Sequence, residues 1–138
     1  MTLHHLREMS LAVDVPINAD FEGGFAIAPE AVAVHVTSAT TTGIAGLSIE
    51  DSTGDPAHPL YDFALAVDRI TAARHAIDES GTGILLTARS EGFISGRPDL
   101  GETIRRLTAF AGAGADCLYA PGLKSLADIR TVVHAVAP

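Results

Sequence analysis

The sequence predicts an α/β fold in which parallel strands alternate with helices. Four short apolar runs, at residues 13–19, 44–49, 83–88 and 117–120, are each bounded by Gly, Pro or charged residues. Buried parallel strands look like this. Longer segments between them carry apolar residues at helical spacing. The composition, 47% hydrophobic and 19% charged over 138 residues, is that of an ordinary globular domain. The order therefore reads α-β-α-β-α-β-α-β-α.

Each element has local grounds. Leu3, Leu6 and Met9 outline a leading helix before the first strand. Pro29 and Glu30 suit a first helical turn, Val32, Val36 and Ala39 share a face, and Gly43 is a stop. From near Tyr61 a further helix puts Ala66, Ile70, Ala73 and Ile77 on one stripe and ends at Gly81. Asp99 and Glu102 form a capping-box pattern ahead of Ile104, Leu107 and Ala111. Ser125 opens the last helix, with Ile129, Val132, Val133 and Val136 at helical spacing.

Several function classes drop out. The net charge of −8 and 5% aromatics argue against a nucleic-acid partner, whose phosphates need a basic footprint. No apolar run approaches the roughly 20 residues that span a bilayer, and no signal segment opens the chain. A cytoplasmic chain without a membrane partner is expected, with residues 1–138 as a single domain. The lone Cys117 excludes a disulfide framework and a multi-thiolate zinc site, and is expected in the core. No G-x-G-x-x-G or G-x-x-x-x-G-K-[ST] motif follows a strand. The six histidines show no ligand spacing, although His58 lies in a loop near a strand end.

Such alternation fits an open doubly wound sheet or part of a (β/α)₈ barrel, a complete barrel needing about 250 residues. Asp20, Glu50 and Arg89 each end an apolar strand. Neighbouring strand ends bring them to the C-terminal edge of the sheet, where parallel folds build their sites. Carboxylates there suit Mg²⁺, and an arginine beside them suits an anionic substrate. The plainer alternative is a solvated ion-pair network of Glu50, Asp51 and Arg89. Ser52, Ser90 and Arg97 are nearby polar candidates.

Asn18-Ala19-Asp20 with its glycines, Gly46-Leu47-Ser48-Ile49-Glu50-Asp51-Ser52, Ala88-Arg89-Ser90-Glu91 and Ala113-Gly114-Ala115-Asp116-Cys117-Leu118-Tyr119-Ala120-Pro121 occur in this order. Together they resemble the isocitrate lyase/phosphoenolpyruvate mutase superfamily, above all its phosphonomutase-like branch. The resemblance implies a (β/α)₈ barrel that uses Mg²⁺ to bind a small 2-oxo acid or phosphonate and makes or breaks a C–C or P–C bond through an enolate. Carried across, Asp20 and Glu50 serve the metal, Glu50 orienting metal-bound water. Arg89 binds the substrate anion, with Ser52 and Glu91 as further substrate-binding candidates. Asn18 stands where the family often has aspartate. Residues 52–61 hold no cysteine where the lyase branch carries a K-K-C-G-H loop.

By the resemblance the chain holds about four βα units, equivalent to strands three to six, of a barrel that is apparently truncated. Open edges and an exposed apolar interior face then predict a homo-oligomer. The competing expectation is a catalytically incomplete barrel remnant that acts only as an assembly or binding partner.

Overall fold

A computed structural model describes residues 3–136. The elements are α1 (Leu3–Ala12), β1 (Asn18–Asp20), α2 (Pro29–Thr40), β2 (Gly46–Glu50), α3 (Phe63–Ser80), β3 (Leu85–Arg89), α4 (Leu100–Gly112), β4 (Cys117–Tyr119) and α5 (Leu126–Val136). All four strands are parallel and lie in the order β1-β2-β3-β4. The strand order never reverses, as it must in a doubly wound sheet. Each crossover steps the same way, and a right-handed crossover, the general rule for parallel strands, then collects the helices on one face. This is barrel topology, and the chain forms part of a (β/α)₈ barrel.

The helix signals act locally as read. Pro29 opens α2 with Glu30 in its first turn. Gly81 ends α3 in the left-handed region, at φ 66°, where a side chain would be strained. The Asp99 side chain caps α4 by accepting from the Glu102 N–H at 2.9 Å. The reciprocal half of that capping box is replaced, because the Glu102 carboxylate holds Arg105 and Arg106 instead.

The core lies between sheet and helices. Leu47, Ile49, Leu86 and Ala88 point from the strands into Val32 and Val36 of α2, Ile70, Ala73 and Ile77 of α3, and Leu107 and Phe110 of α4. Alternation along the strands turns Asn18, Asp20, Ser48, Glu50, Thr87 and Arg89 to the opposite face. That face is more polar than the apolar patch expected from the sequence. Its apolar part includes Leu85 and Tyr119, 52% and 51% exposed.

Two expectations need correction. The first strand is only Asn18–Asp20 rather than residues 13–19. Val13 and Val15 are exposed, and Pro16 lacks the N–H that a ladder position needs. Cys117 is exposed rather than in the core, since it belongs to the outward-alternating set of a three-residue edge strand.

Candidate active site

The parallel register places Asp20 beside Ser48 and Glu50 beside Arg89, with Arg89 in turn beside Tyr119. Asp20 and Glu50 are thus on one face but at different levels. Arg89 is long enough to join them. Its Nη1 lies 3.0 Å from Asp20 Oδ2, its Nη2 3.5 Å from Glu50 Oε2, and its Nε 2.9 Å from Glu91 Oε1. The Tyr119 ring centroid is 5.6 Å from the guanidinium carbon. Ser48 Oγ donates to Asp20 Oδ1 at 3.4 Å.

Burial divides these groups. The Asp20 side chain is 61% exposed, whereas that of Glu91 is 3% exposed. Burial raises the Glu50 carboxyl above its ordinary value, with the charge of Glu91 adding to it and Arg89 opposing. Glu91 is likewise raised by burial, against its hydrogen bond to Arg89. For Arg89, burial pulls downward, but the hydrogen bond and charge of Glu91 and the charge of Asp20 outweigh it and the net shift is up. Three carboxylates around one guanidinium leave the cluster anionic when all are charged.

Asp51 departs from its neighbour Glu50 by pointing to the helix side. Its carboxylate meets Arg106 Nη1 of α4 at 3.2 Å and accepts the Glu91 N–H at 2.8 Å. It is a buried tie between strand ends and helix, in place of a solvated network. Burial raises its pKa, opposed by the Glu91 N–H and by Arg106. Ser52 also leaves the Arg89 cluster. It bridges to Leu60 and lines a cavity of about 300 Å³ with Glu22, Gly23, Glu50 and Tyr61. His58 and Arg97 line a different cavity, of about 600 Å³, over Arg106 and Ser90.

Sequence reasoning passed over Glu22, Tyr119 and Arg106. For Arg106 a signal was present, since Glu102 and Arg106 stand four apart on one helix. For Glu22, its place two residues beyond Asp20 was the available signal. Among the described residues no group of three or more His, Cys, Asp or Glu side chains gathers as a metal cage. Mg²⁺ commonly needs only one or two protein carboxylates, with water and substrate completing its shell. Asp20 and Glu50, hard oxygen donors converging on one guanidinium, fit that requirement.

Comparison with known proteins sets this geometry in a family. A family model described as phosphoenolpyruvate phosphomutase matches residues 1–138. A candidate lyase/mutase from Burkholderia cenocepacia superposes with a TM-score of 0.94 at 42% identity, covering 97% of this chain and 48% of that one. Phosphonopyruvate hydrolase, solved in complex with oxalate and Mg²⁺, superposes with a TM-score of 0.85 at 25% identity over 99% of this chain and 47% of its own. The oxaloacetate decarboxylase of Bradyrhizobium diazoefficiens is 30% identical over 135 residues, which are 94% of this chain and 45% of the relative. The chain thus spans about half the length of the relatives it matches. Matched from end to end and laid out like half of these barrels, it belongs to the phosphoenolpyruvate phosphomutase family, within the phosphoenolpyruvate mutase/isocitrate lyase superfamily.

Proposed function

We propose that the strand-end cluster binds the anionic end of a small 2-oxo acid or phosphonate beside Mg²⁺ and stabilises the enolate formed when a C–C or P–C bond is made or broken. The observation that carries this reading is the convergence of Asp20, Glu50 and Glu91 on Arg89 at the C-terminal ends of neighbouring parallel strands. Oxalate with Mg²⁺ in phosphonopyruvate hydrolase supports the choice of ligand.

The roles follow from the contacts. Glu91, nearly buried, holds Nε and fixes the plane of the guanidinium, while Nη1 and Nη2, which face Asp20 and Glu50, turn to a substrate carboxylate or phosphonate once those two carboxylates are taken up by the cation. Asp20 and Glu50 are the residues that would hold Mg²⁺, which would supply positive charge beside the substrate oxygens. Arg89 stabilises the negative charge that grows on the substrate during reaction. Glu50, on the Arg89 face and in the wall of the neighbouring cavity, would orient metal-bound water.

A second reading, a binding or assembly partner without turnover, draws support from the loop after β2. Its histidine, His58, pairs with Asp55 at 3.4 Å and lines the cavity over Arg106, whose lining does not include Arg89. In either reading the open edges of β1 and β4 favour self-association, which light scattering measures directly. Among the described residues no helix is long and apolar enough to cross a membrane.

Calorimetric titration of Mg²⁺ and oxalate into the purified chain tests the binding reading. Saturable heat lost in both Asp20→Ala and Arg89→Ala is the expected result. Absence of heat with the unmodified chain at millimolar ligand overturns it. Turnover of oxaloacetate or phosphonopyruvate, abolished by Arg89→Ala, decides between enzyme and binding partner.

A further inference from the structure

The chain between β1 and α2 is held from behind by an arginine that has no carboxylate partner among the described residues. Arg69 of α3 is 1% exposed. Its guanidinium donates to the carbonyls of Gly23, Ala26 and Ile27, the last at 2.6 Å. Its carbon sits 4.1 Å from the centroid of the Tyr61 ring. A buried charge is costly unless its hydrogen bonds are made, and an apolar side chain would fill the same space more cheaply. What the guanidinium adds is a fork that ties three carbonyls of one loop.

That loop needs holding. Glu22 and Phe25 both lie in the left-handed region, at φ 48° and 56°, which side-chain-bearing residues adopt only under constraint. On its other side the Glu22 carbonyl accepts the Glu50 N–H at 2.9 Å. Glu22 and Gly23 then form a wall of the cavity that also takes in Glu50. His35 of α2 adds a bond to the Gly24 carbonyl at 2.8 Å. A Cβ on Gly23 would come within 3.0 Å of Arg69 Nη2, so glycine leaves the room for the clamp.

We propose that Arg69 is a positioning residue, which clamps residues 23–27 from the α3 side and so fixes the Glu22–Gly23 wall against Glu50. Its binding consequence rests on the function proposed above, whereas the clamp itself does not. Arg69→Lys keeps the charge but offers one ammonium group that cannot span three carbonyls. Arg69→Met removes all three carbonyl bonds and keeps an unbranched side chain in the same space.

The test is amide hydrogen exchange on the whole 138-residue chain, with Mg²⁺–oxalate titration alongside. In both variants the Gly24 amide exchanges at least 10-fold faster, while the Leu47 and Leu86 amides keep the protection they have in the unmodified chain. Oxalate affinity in the presence of Mg²⁺ falls by roughly 5- to 20-fold. Unchanged exchange at Gly24, or an equal rise at all three amides, overturns the clamp. If Arg69→Lys fails to fold, Arg69→Met decides by the same criterion. If the unmodified chain binds no oxalate, the binding reading fails and the exchange data still decide the clamp. Faster exchange at Gly24 with unchanged oxalate affinity overturns the link to the site.

Discussion

Glu91 links Asp51 to Arg89: its N–H donates to Asp51 Oδ1 at 2.8 Å while its carboxylate holds Arg89 Nε at 2.9 Å. One residue thereby joins the buried helix-side tie to the open face of the sheet. Asp51→Ala removes the acceptor and leaves Arg106 with Glu102 alone. Breaking a buried pair from one side costs about 3–5 kcal/mol. Urea denaturation should show that loss, and Arg106→Leu in the same chain should recover part of it.

Acidity gives a second prediction. Glu50 and Glu91 are raised from an ordinary value of 4.5, both chiefly by burial. Between 4.5 and their raised values the folded chain binds more protons than the unfolded one, so stability falls as pH rises through that window. Glu102 is lowered from 4.5, first by its hydrogen bond to Arg105, and its contribution is lost as pH falls through its folded value. Glu50→Gln should flatten the decline above pH 4.5 in a melting-temperature profile. The slope below 4.5 should stay as it is.

Substituting Arg89 by lysine tests the fork. Lysine preserves the charge but loses the planar pair of donors that meets a carboxylate. Oxalate affinity with Mg²⁺ should weaken by roughly 10- to 100-fold in calorimetry, the range of one or two charge-assisted hydrogen bonds. The melting temperature without ligand should move far less than in Asp51→Ala.

Packing and capping give quieter tests. Leu47 of β2 has no exposed surface, and Leu47→Ala should cost about 2–5 kcal/mol in urea denaturation. Asp99→Ala removes the cap of α4 at a cost of about 1 kcal/mol.

The parts legible in the sequence were those written in short range. Pro29, Gly81 and Asp99 each mark a helix end through their own backbone or the residues beside them, and they sit where expected. Strand ends could be lined up because alternation fixes a parallel sheet, and this brought Asp20, Glu50 and Arg89 together. The Asp51–Arg106 tie bridges 55 positions in the chain, so no local pattern announces it. Arg69 was equally silent, because its partners are backbone carbonyls, which every residue has. Cys117 was misplaced since three strand residues are too few for periodicity to separate the two faces.

The uninterrupted strand order also bears on how the molecule assembles. The substantial contacts run between consecutive units, α2 with α3, α3 with α4, α4 with α5, and each strand with the next. Loss of order at one end therefore has no direct route to the other. Asp20, Glu50 and Arg89 come from three successive units, so their cluster closes only after those three have docked in register. A ligand held by all three would report that docking step, and fraying of α5 would reach it through Tyr119 at the edge or through α4 by way of the Arg106–Asp51 tie.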